Sequence, residues 1–107
     1  MYRQGRSFSN RTFVVHAFTR GEPGELRDEP RLGLSVSRKV GNAVDRNLVK
    51  RLVREAFATL SADVPNHFDI VVVARAEAKQ VAERDGLGGI QPALAELIAK
   101  LAQADAQ

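Results

Sequence analysis

The stretch RNLVKRLVREAF at residues 46–57 decides the fold, because its apolar and cationic side chains recur with the period of a helix. At about 100° per residue, the apolar side chains of this stretch and its flanks fall in one broad arc that would face a core. They are Val44, Leu48, Val49, Leu52, Val53, Ala56, Phe57 and Leu60. A favourable N-cap at Asn42 and a proline at position 65 predict a helix over residues 43–60.

The opposite arc of this helix, which we call the basic face, carries an amide and four cations. Its members are Arg46, Asn47, Lys50, Arg51 and Arg54. Surface helices usually interleave acids with such cations to form pairs one turn apart, but here only Asp45 and Glu55 lie at the edges. A solvated helix surface is one interpretation of this pattern. The nearly pure positive charge favours the other, a partner whose line of phosphates relieves the repulsion.

Three further stretches predict the strands of a small sheet. Residues 12–18 and 32–37 are rich in β-branched and aromatic side chains. Residues 69–74 form a continuous apolar run, which is typical of a central strand buried on both faces. On the first strand, alternation places His16 and Phe18 on the same face, where Phe18 could belong either to the core or to a site.

The two ends of the chain complete the predicted architecture. Residues 1–11 are polar and basic and are predicted to form a basic lead-in to the domain. Residues 86–89 contain three glycines and predict a flexible break, after which Pro92 suits the first turn of a last helix. Residues 102–107 predict a frayed tail. The chain is thus predicted to be one α+β domain over residues 1–107, with a mixed sheet of about three to four strands, a basic crossover helix and a C-terminal helix.

Composition narrows the class of protein. The chain has 107 residues, 44% of them hydrophobic, no cysteine and a formal net charge of +3. This apolar content suits one folded core, and the absence of thiols excludes a disulfide framework. The sequence contains no apolar run near the ~18 residues of a membrane span and no apolar signal segment. We therefore expect a cytoplasmic protein.

The polar residues predict no catalytic constellation. The only histidines, His16 and His67, have no carboxylate or metal-ligand spacing around them, and His67 is predicted to be a loop residue without a role. Gly41 and Asn42 directly precede the basic helix and leave two interpretations open. The free N–H groups of the helix could hold a phosphate there, or the two residues could form a simple N-cap turn.

The pattern RNxxKRxxR at residues 46–54 resembles the arginine- and asparagine-rich motif of the bacterial ribonuclease P protein family. The segment RLGLSVSRKVGNAV at residues 31–44 and the strand at residues 69–75 are similar to that family in the same order and spacing. The resemblance covers most of residues 5–76. It implies the family's left-handed strand–helix–strand crossover, against the general right-handed rule. The family's amino-terminal helix is expected to be absent from this chain.

The resemblance implies a subunit of an enzyme. Ribonuclease P removes the 5′ leader of precursor tRNA by hydrolysing one phosphodiester bond, and the family's RNA subunit holds the active site and its Mg²⁺. No catalytic residue, metal ligand or cofactor-binding motif is therefore expected on this chain. The expected partners are the catalytic RNA and precursor tRNA, with no membrane, in a one-to-one ribonucleoprotein of a monomeric protein. The alternative is a non-catalytic RNA-binding module, such as a ribosome-associated protein.

The resemblance also assigns roles to residues. The basic face, extended by Arg38 and Lys39, would dock the catalytic RNA. Tyr2, His16 and Phe18 would hold the single-stranded leader, because aromatic rings stack on unpaired bases without demanding a sequence. His16 stands where the family more usually has a tyrosine.

Overall fold

A computed structural model describes residues 5–19, 31–65 and 68–105, and it confirms the α+β class. The four strands are β1 at Gly5–Ser9, β2 at Phe13–Thr19, β3 at Leu32–Val36 and β4 at Phe68–Ala74. The three helices are α1 at Ala43–Leu60, α2 at Ala78–Asp85 and α3 at Leu87–Asp105. A short 3-10 helix at Ser61–Asp63 directly follows α1. Tyr2 and His67 lie outside the described residues.

The strands form one mixed sheet in the order β1-β2-β4-β3. β2 pairs antiparallel with β1 and β4, whereas β3 pairs with β4 in parallel, with Leu34 opposite Val72. Because parallel neighbours need a crossover connection, α1 between β3 and β4 is the predicted crossover helix. The left hand of this crossover stays a prediction of the family resemblance.

The core lies on one face of the sheet. Phe13, Val15 and Ala17 of β2 are fully buried and belong to the same apolar cluster as the inward side chains of α1 and α3. β4 is central, as predicted, but the prediction that both of its faces are buried is wrong. Val71 and Val73 are only half-buried, because they point away from the helices. We call this second side of the sheet the outer face.

Helix α1 has the predicted bounds and a reciprocal N-cap. The side chain of Asn42 accepts from the N–H of Asp45 at 2.9 Å, and the carboxylate of Asp45 accepts from the N–H of Asn42 at 3.1 Å. These bonds form a capping box and place a carboxylate at the positive end of the helix. The geometry therefore favours the N-cap turn over a phosphate site at Gly41 and Asn42.

The apolar arc of α1 is narrower than its sequence indicates. Val44 was predicted to face the core, but it is 76% exposed, and Leu48 is half-buried. At about 100° per residue, Val44 lies about 180° from Val53, which is fully buried. The side chains that face the core are Val49, Leu52, Val53, Ala56, Phe57 and Leu60.

Within the basic lead-in over residues 1–11, Gly5–Ser9 forms the strand β1, which was not predicted. This edge strand lacks a clear apolar pattern because most of its side chains are exposed. The turn that follows depends on Asn10, whose side-chain oxygen accepts from the N–H groups of Thr12 and Phe13 at 3.0 and 2.9 Å. The amide of Asn10 also donates to the carbonyl of Ala93 in α3 at 2.9 Å, so one residue joins the hairpin to the helical layer.

The C-terminal region differs most from the prediction. Helix α2 was not predicted, and the expected flexible break at residues 86–89 is confined to Gly86, with φ 57°. Gly89 lies inside α3, where an added Cβ would approach Val81 of α2 to 2.7 Å, so a glycine permits the close contact of the two helices. The predicted frayed tail at residues 102–107 is also wrong up to Asp105, because α3 continues past the fully buried Leu101.

Candidate nucleic-acid interface

The structure places the basic face on the solvent side of α1. Asn47, Arg51 and Arg54 are exposed, while Arg46 and Lys50 are half-buried. Because Val49, Leu52 and Val53 are buried on the other side of the helix, the cations cannot turn inward without unpacking the core. The core contacts of α1 therefore determine the direction of its charges.

The cations of the basic face have no acidic partner among the residues that the structure describes. Within residues 5–19, 31–65 and 68–105, no ion pair includes Arg46, Lys50, Arg51 or Arg54. Asp45, the acid at the edge of the face, is engaged with Lys79 of α2 at 3.3 Å and with the N-cap. Like charges one turn apart repel, so an anion along this face would lower the electrostatic free energy of the helix.

Arg46 differs from the other cations of the basic face. Its Nε atom is buried and has no hydrogen-bond partner in the described part of the chain. Arg46 is therefore the member of the basic face that has a buried, unpaired donor in the described ranges.

Arg38 and Lys39 are exposed in the turn that leads from β3 into α1. The turn is held by the N–H of Lys39, which donates to the hydroxyl of Ser37 at 3.3 Å, and by the buried side chain of Val40. Gly41 follows with φ +156°, and a Cβ there would collide with the carboxylate of Asp45. This tight connection brings the two cations directly before the first turn of α1, as an extension of the basic face.

The outer face of the sheet carries His16 and Phe18, as predicted. Both are half-buried, and their rings are stacked with centroids 6.4 Å apart and an interplanar angle of 29°. His16 Nδ1 lies 2.7 Å from the hydroxyl of Ser7 on β1. Phe13, by contrast, points to the other side and is fully buried. Phe18 thus belongs to the outer face and not to the core.

The sheet register adds residues that the sequence did not single out as a site. Ser7, His16, Val71 and Gly33 stand opposite one another on β1, β2, β4 and β3, and they form one row across the outer face. A Cβ on Gly33 would approach Cγ2 of Val71 to 3.2 Å, so glycine at this position leaves room for the valine side chain. Only the alternation of each strand hinted at this row, since its members are distant in sequence.

A cavity of about 510 Å³ lies beside the end of the outer face. It is lined by Ser9, Asn10, Arg11, Arg75, Ala76 and Glu77. Arg75 Nη1 donates to the carbonyl of Asn10 at 3.2 Å, which ties the exit of β4 to the β1–β2 turn. The sequence did not indicate this cavity, because Arg11 and Arg75 lie far apart in the chain.

Metal ligands and membrane spans are not found in the described ranges. No group of three or more histidine, cysteine or acidic side chains is placed there to hold a metal ion. None of the helices in those ranges is both long and apolar enough to cross a membrane. The surfaces that stand out are the basic face and the outer face.

Comparison with known proteins gives a consistent family. The model of the Ribonuclease P family matches residues 1–98. The ribonuclease P protein component of Shouchella clausii is 44% identical over 85 residues, which cover 79% of this chain and 66% of that protein. The component of Staphylococcus haemolyticus is 39% identical over 94 residues, which cover 88% of this chain and 77% of that protein. The chain thus spans about two thirds to three quarters of the length of these two relatives.

Solved structures agree with the sequence comparison. The RNase P protein of Thermotoga maritima is similar with a TM-score of 0.76 and 36% identity, over 91% of this chain and 84% of that one. The Staphylococcus aureus RNase P protein, solved at 2.0 Å, gives a TM-score of 0.72 and 38% identity, over 90% of this chain and 80% of that one. On its sequence and on its fold alike, this chain belongs to the ribonuclease P protein family, whose members are the protein components of ribonuclease P.

Proposed function

We propose that this chain is the protein subunit that assists the catalytic RNA of ribonuclease P in removing the 5′ leader from precursor tRNA. The observation that supports this most is the presence of two different RNA-compatible surfaces on one small domain. The basic face of α1 is charged and lacks acidic partners among the described residues. The outer face of the sheet presents stacked rings at His16 and Phe18.

The basic face would dock the catalytic RNA through its phosphates. Arg46, Lys50, Arg51 and Arg54 would displace counterions from the RNA backbone, and Asn47 would add a hydrogen bond. Arg38 and Lys39 would lengthen this contact beyond the first turn of α1. A phosphate contact of this kind positions two molecules without reading sequence, which suits a subunit whose partner is one defined RNA.

The outer face would hold the leader. An unpaired base stacks on an aromatic ring with an energy of about 1–3 kcal/mol whatever its identity, which suits leaders of varied sequence. His16 and Phe18 would provide these rings on the sheet. Tyr2 is assigned to the same role by the family resemblance alone, since it lies outside the described residues.

The hydrolysis itself would take place on the RNA subunit, with Mg²⁺ held by the RNA and no cofactor held by this chain. The protein would contribute positive charge and positioning. It would bind the catalytic RNA through the basic face and hold the leader next to that RNA through the outer face. We place the protein in the cytoplasm as a monomer in a one-to-one complex with the catalytic RNA.

The test is the affinity of the reconstituted holoenzyme for precursor tRNA and for mature tRNA, with the RNA alone as the reference. Addition of this chain should tighten the binding of precursor more than the binding of mature tRNA. A leader shortened to one nucleotide is the matched control and should remove most of the gain.

Equal tightening of both substrates would contradict the leader site. It would favour the second candidate, a non-catalytic RNA-binding module that uses the basic face alone. That candidate is supported only by the cations of the basic face, which lack acidic partners in the described part of the chain.

A further inference from the structure

The row across the outer face contains one side-chain hydrogen bond. Ser7 on β1 stands directly opposite His16 on β2, and its hydroxyl oxygen lies 2.7 Å from Nδ1 of the imidazole. Ser7 is exposed, and neither residue belongs to the apolar core. The bond therefore does not serve to bury apolar surface. Its effect is to fix the orientation of the imidazole ring.

An imidazole ring needs such a restraint. The torsion that turns a histidine ring about its Cβ–Cγ bond has a broad, roughly two-fold preference, so packing or a hydrogen bond must select one plane. Phe18 restrains the ring from the same strand, with centroids 6.4 Å apart, and Val71 is opposite on β4. Neither neighbour distinguishes the two ring nitrogens, whereas a hydroxyl beside Nδ1 does.

A serine hydroxyl is well suited to this role. It donates to Nδ1 when the proton of the neutral ring is on Nε2, and it accepts from Nδ1 when the proton is on Nδ1 or on both nitrogens. The hydrogen bond therefore persists in every protonation state of His16. In each state Nδ1 is occupied and Nε2 remains for a ligand on the outer face.

We propose that Ser7 is a positioning residue that orients the imidazole of His16 for stacking on an unpaired base of the leader. The inference rests on the proposed function, because the leader is the ligand that the outer face would bind. Ser7 acts through His16 and is not itself required to touch the RNA. A tyrosine or phenylalanine at position 16 has no nitrogen for this bond, so the role of Ser7 follows from the histidine in this chain.

The experiment is a double-mutant cycle on the reconstituted holoenzyme, with the preference for precursor over mature tRNA as the readout. Ser7→Ala should reduce this preference about two- to tenfold, which corresponds to the loss of one neutral hydrogen bond. In the His16→Phe background the same change should have no effect, because the bond is already absent. Ser7→Thr keeps the hydroxyl and should restore the preference.

Ser9→Ala is the matched control for this cycle. Ser9 lies on the same face of the same strand, but it stands opposite Val14, which has no hydrogen-bonding side chain. This variant should keep the wild-type preference for precursor tRNA. An equal loss for Ser7→Ala in both backgrounds, or no loss in either, would overturn the positioning role while leaving the leader site intact. A wild-type holoenzyme without any preference for precursor would overturn the proposed function and this inference with it.

Discussion

The five side chains of the basic face come from nine consecutive residues of α1, whereas the row that contains His16 takes one residue from each of four strands. The first surface is charged and was visible in the periodicity of the sequence. The second is nearly neutral and exists only when β1, β2, β4 and β3 pair in this order. Under the proposed function, the helix would therefore bind RNA by counterion release and the sheet by base stacking.

If both surfaces act as proposed, one small domain would bind two RNAs without competition between them. Binding through phosphates weakens steeply as salt rises, whereas base stacking neutralises no phosphate and depends much less on salt. The two surfaces should consequently respond independently to mutation and to ionic strength. Three predictions test the orientation of the basic face and the independence of the two surfaces, in decreasing order of expected effect.

The largest effect is expected for the core side of α1. Leu52 is 6% exposed and packs in the core, so Leu52→Ala should destabilise the fold by about 2–5 kcal/mol. Val44→Ala is the control on the same helix, since Val44 is 76% exposed and its truncation should change stability by no more than about 0.5 kcal/mol. Denaturant unfolding followed by circular dichroism measures both. Equal effects of the two variants would mean that α1 is oriented differently and that the basic face does not point to solvent.

The next effect is expected for the basic face. Replacing Lys50 and Arg51 together by alanine should flatten the log–log salt dependence of catalytic-RNA binding by about one unit for each phosphate that is no longer neutralised. The free energy of unfolding should stay within about 0.5 kcal/mol of the parent, because both side chains lie outside the core. Lys100→Ala removes a cation that is paired with Glu96 on α3 and serves as the control. An unchanged slope in the double variant is incompatible with phosphate docking by this face.

The smallest effect is expected on the outer face, and it distinguishes the two surfaces most directly. His16→Ala should weaken holoenzyme binding of precursor tRNA by about 1–3 kcal/mol, which is the energy of one base–aromatic stack, with little change in salt dependence. His16→Phe should retain the affinity, because it keeps a ring at the same position. Mature tRNA is the internal control and should bind equally well to all three proteins. If the phenylalanine variant binds as poorly as the alanine variant, His16 does not act by stacking.

Local patterns predicted the elements that are both long and strongly amphipathic. Residues 43–60 have a cap, a period and a proline beyond the end, and all three agree on one helix. β1 was not predicted from the sequence, because an edge strand with exposed side chains has no apolar alternation. Helix α2 was not predicted because it is short and buries only Ala78 and Ala82. The start of α3 was not predicted because three glycines in four residues indicate a break, although among these three only Gly86 has a positive φ.

In the candidate site, too, local patterns predict only what neighbouring residues in the chain determine. Arg46, Lys50 and Arg54 fall on one side of a helix by arithmetic alone, so their association needed no tertiary structure. Ser7 and His16 are brought together by the β1–β2 hairpin, whose turn depends on the hydrogen bonds of Asn10. Val44 shows the converse, because periodicity placed it in the apolar arc that would face the core, whereas the packing direction of α1 leaves it exposed.

The sequence by itself determined the class of the fold, the extent of α1, the charge of its basic face and the identity of the family, because these depend on periodicity and on residues close together in the chain. The tertiary structure decided which side of the sheet is covered by helices and which side chains therefore form the outer face. It also decided that Ser7 meets His16 and that Arg11 and Arg75 line one cavity. These arrangements follow from strand order and register, which depend on pairing between distant segments and on the burial that only the complete fold provides.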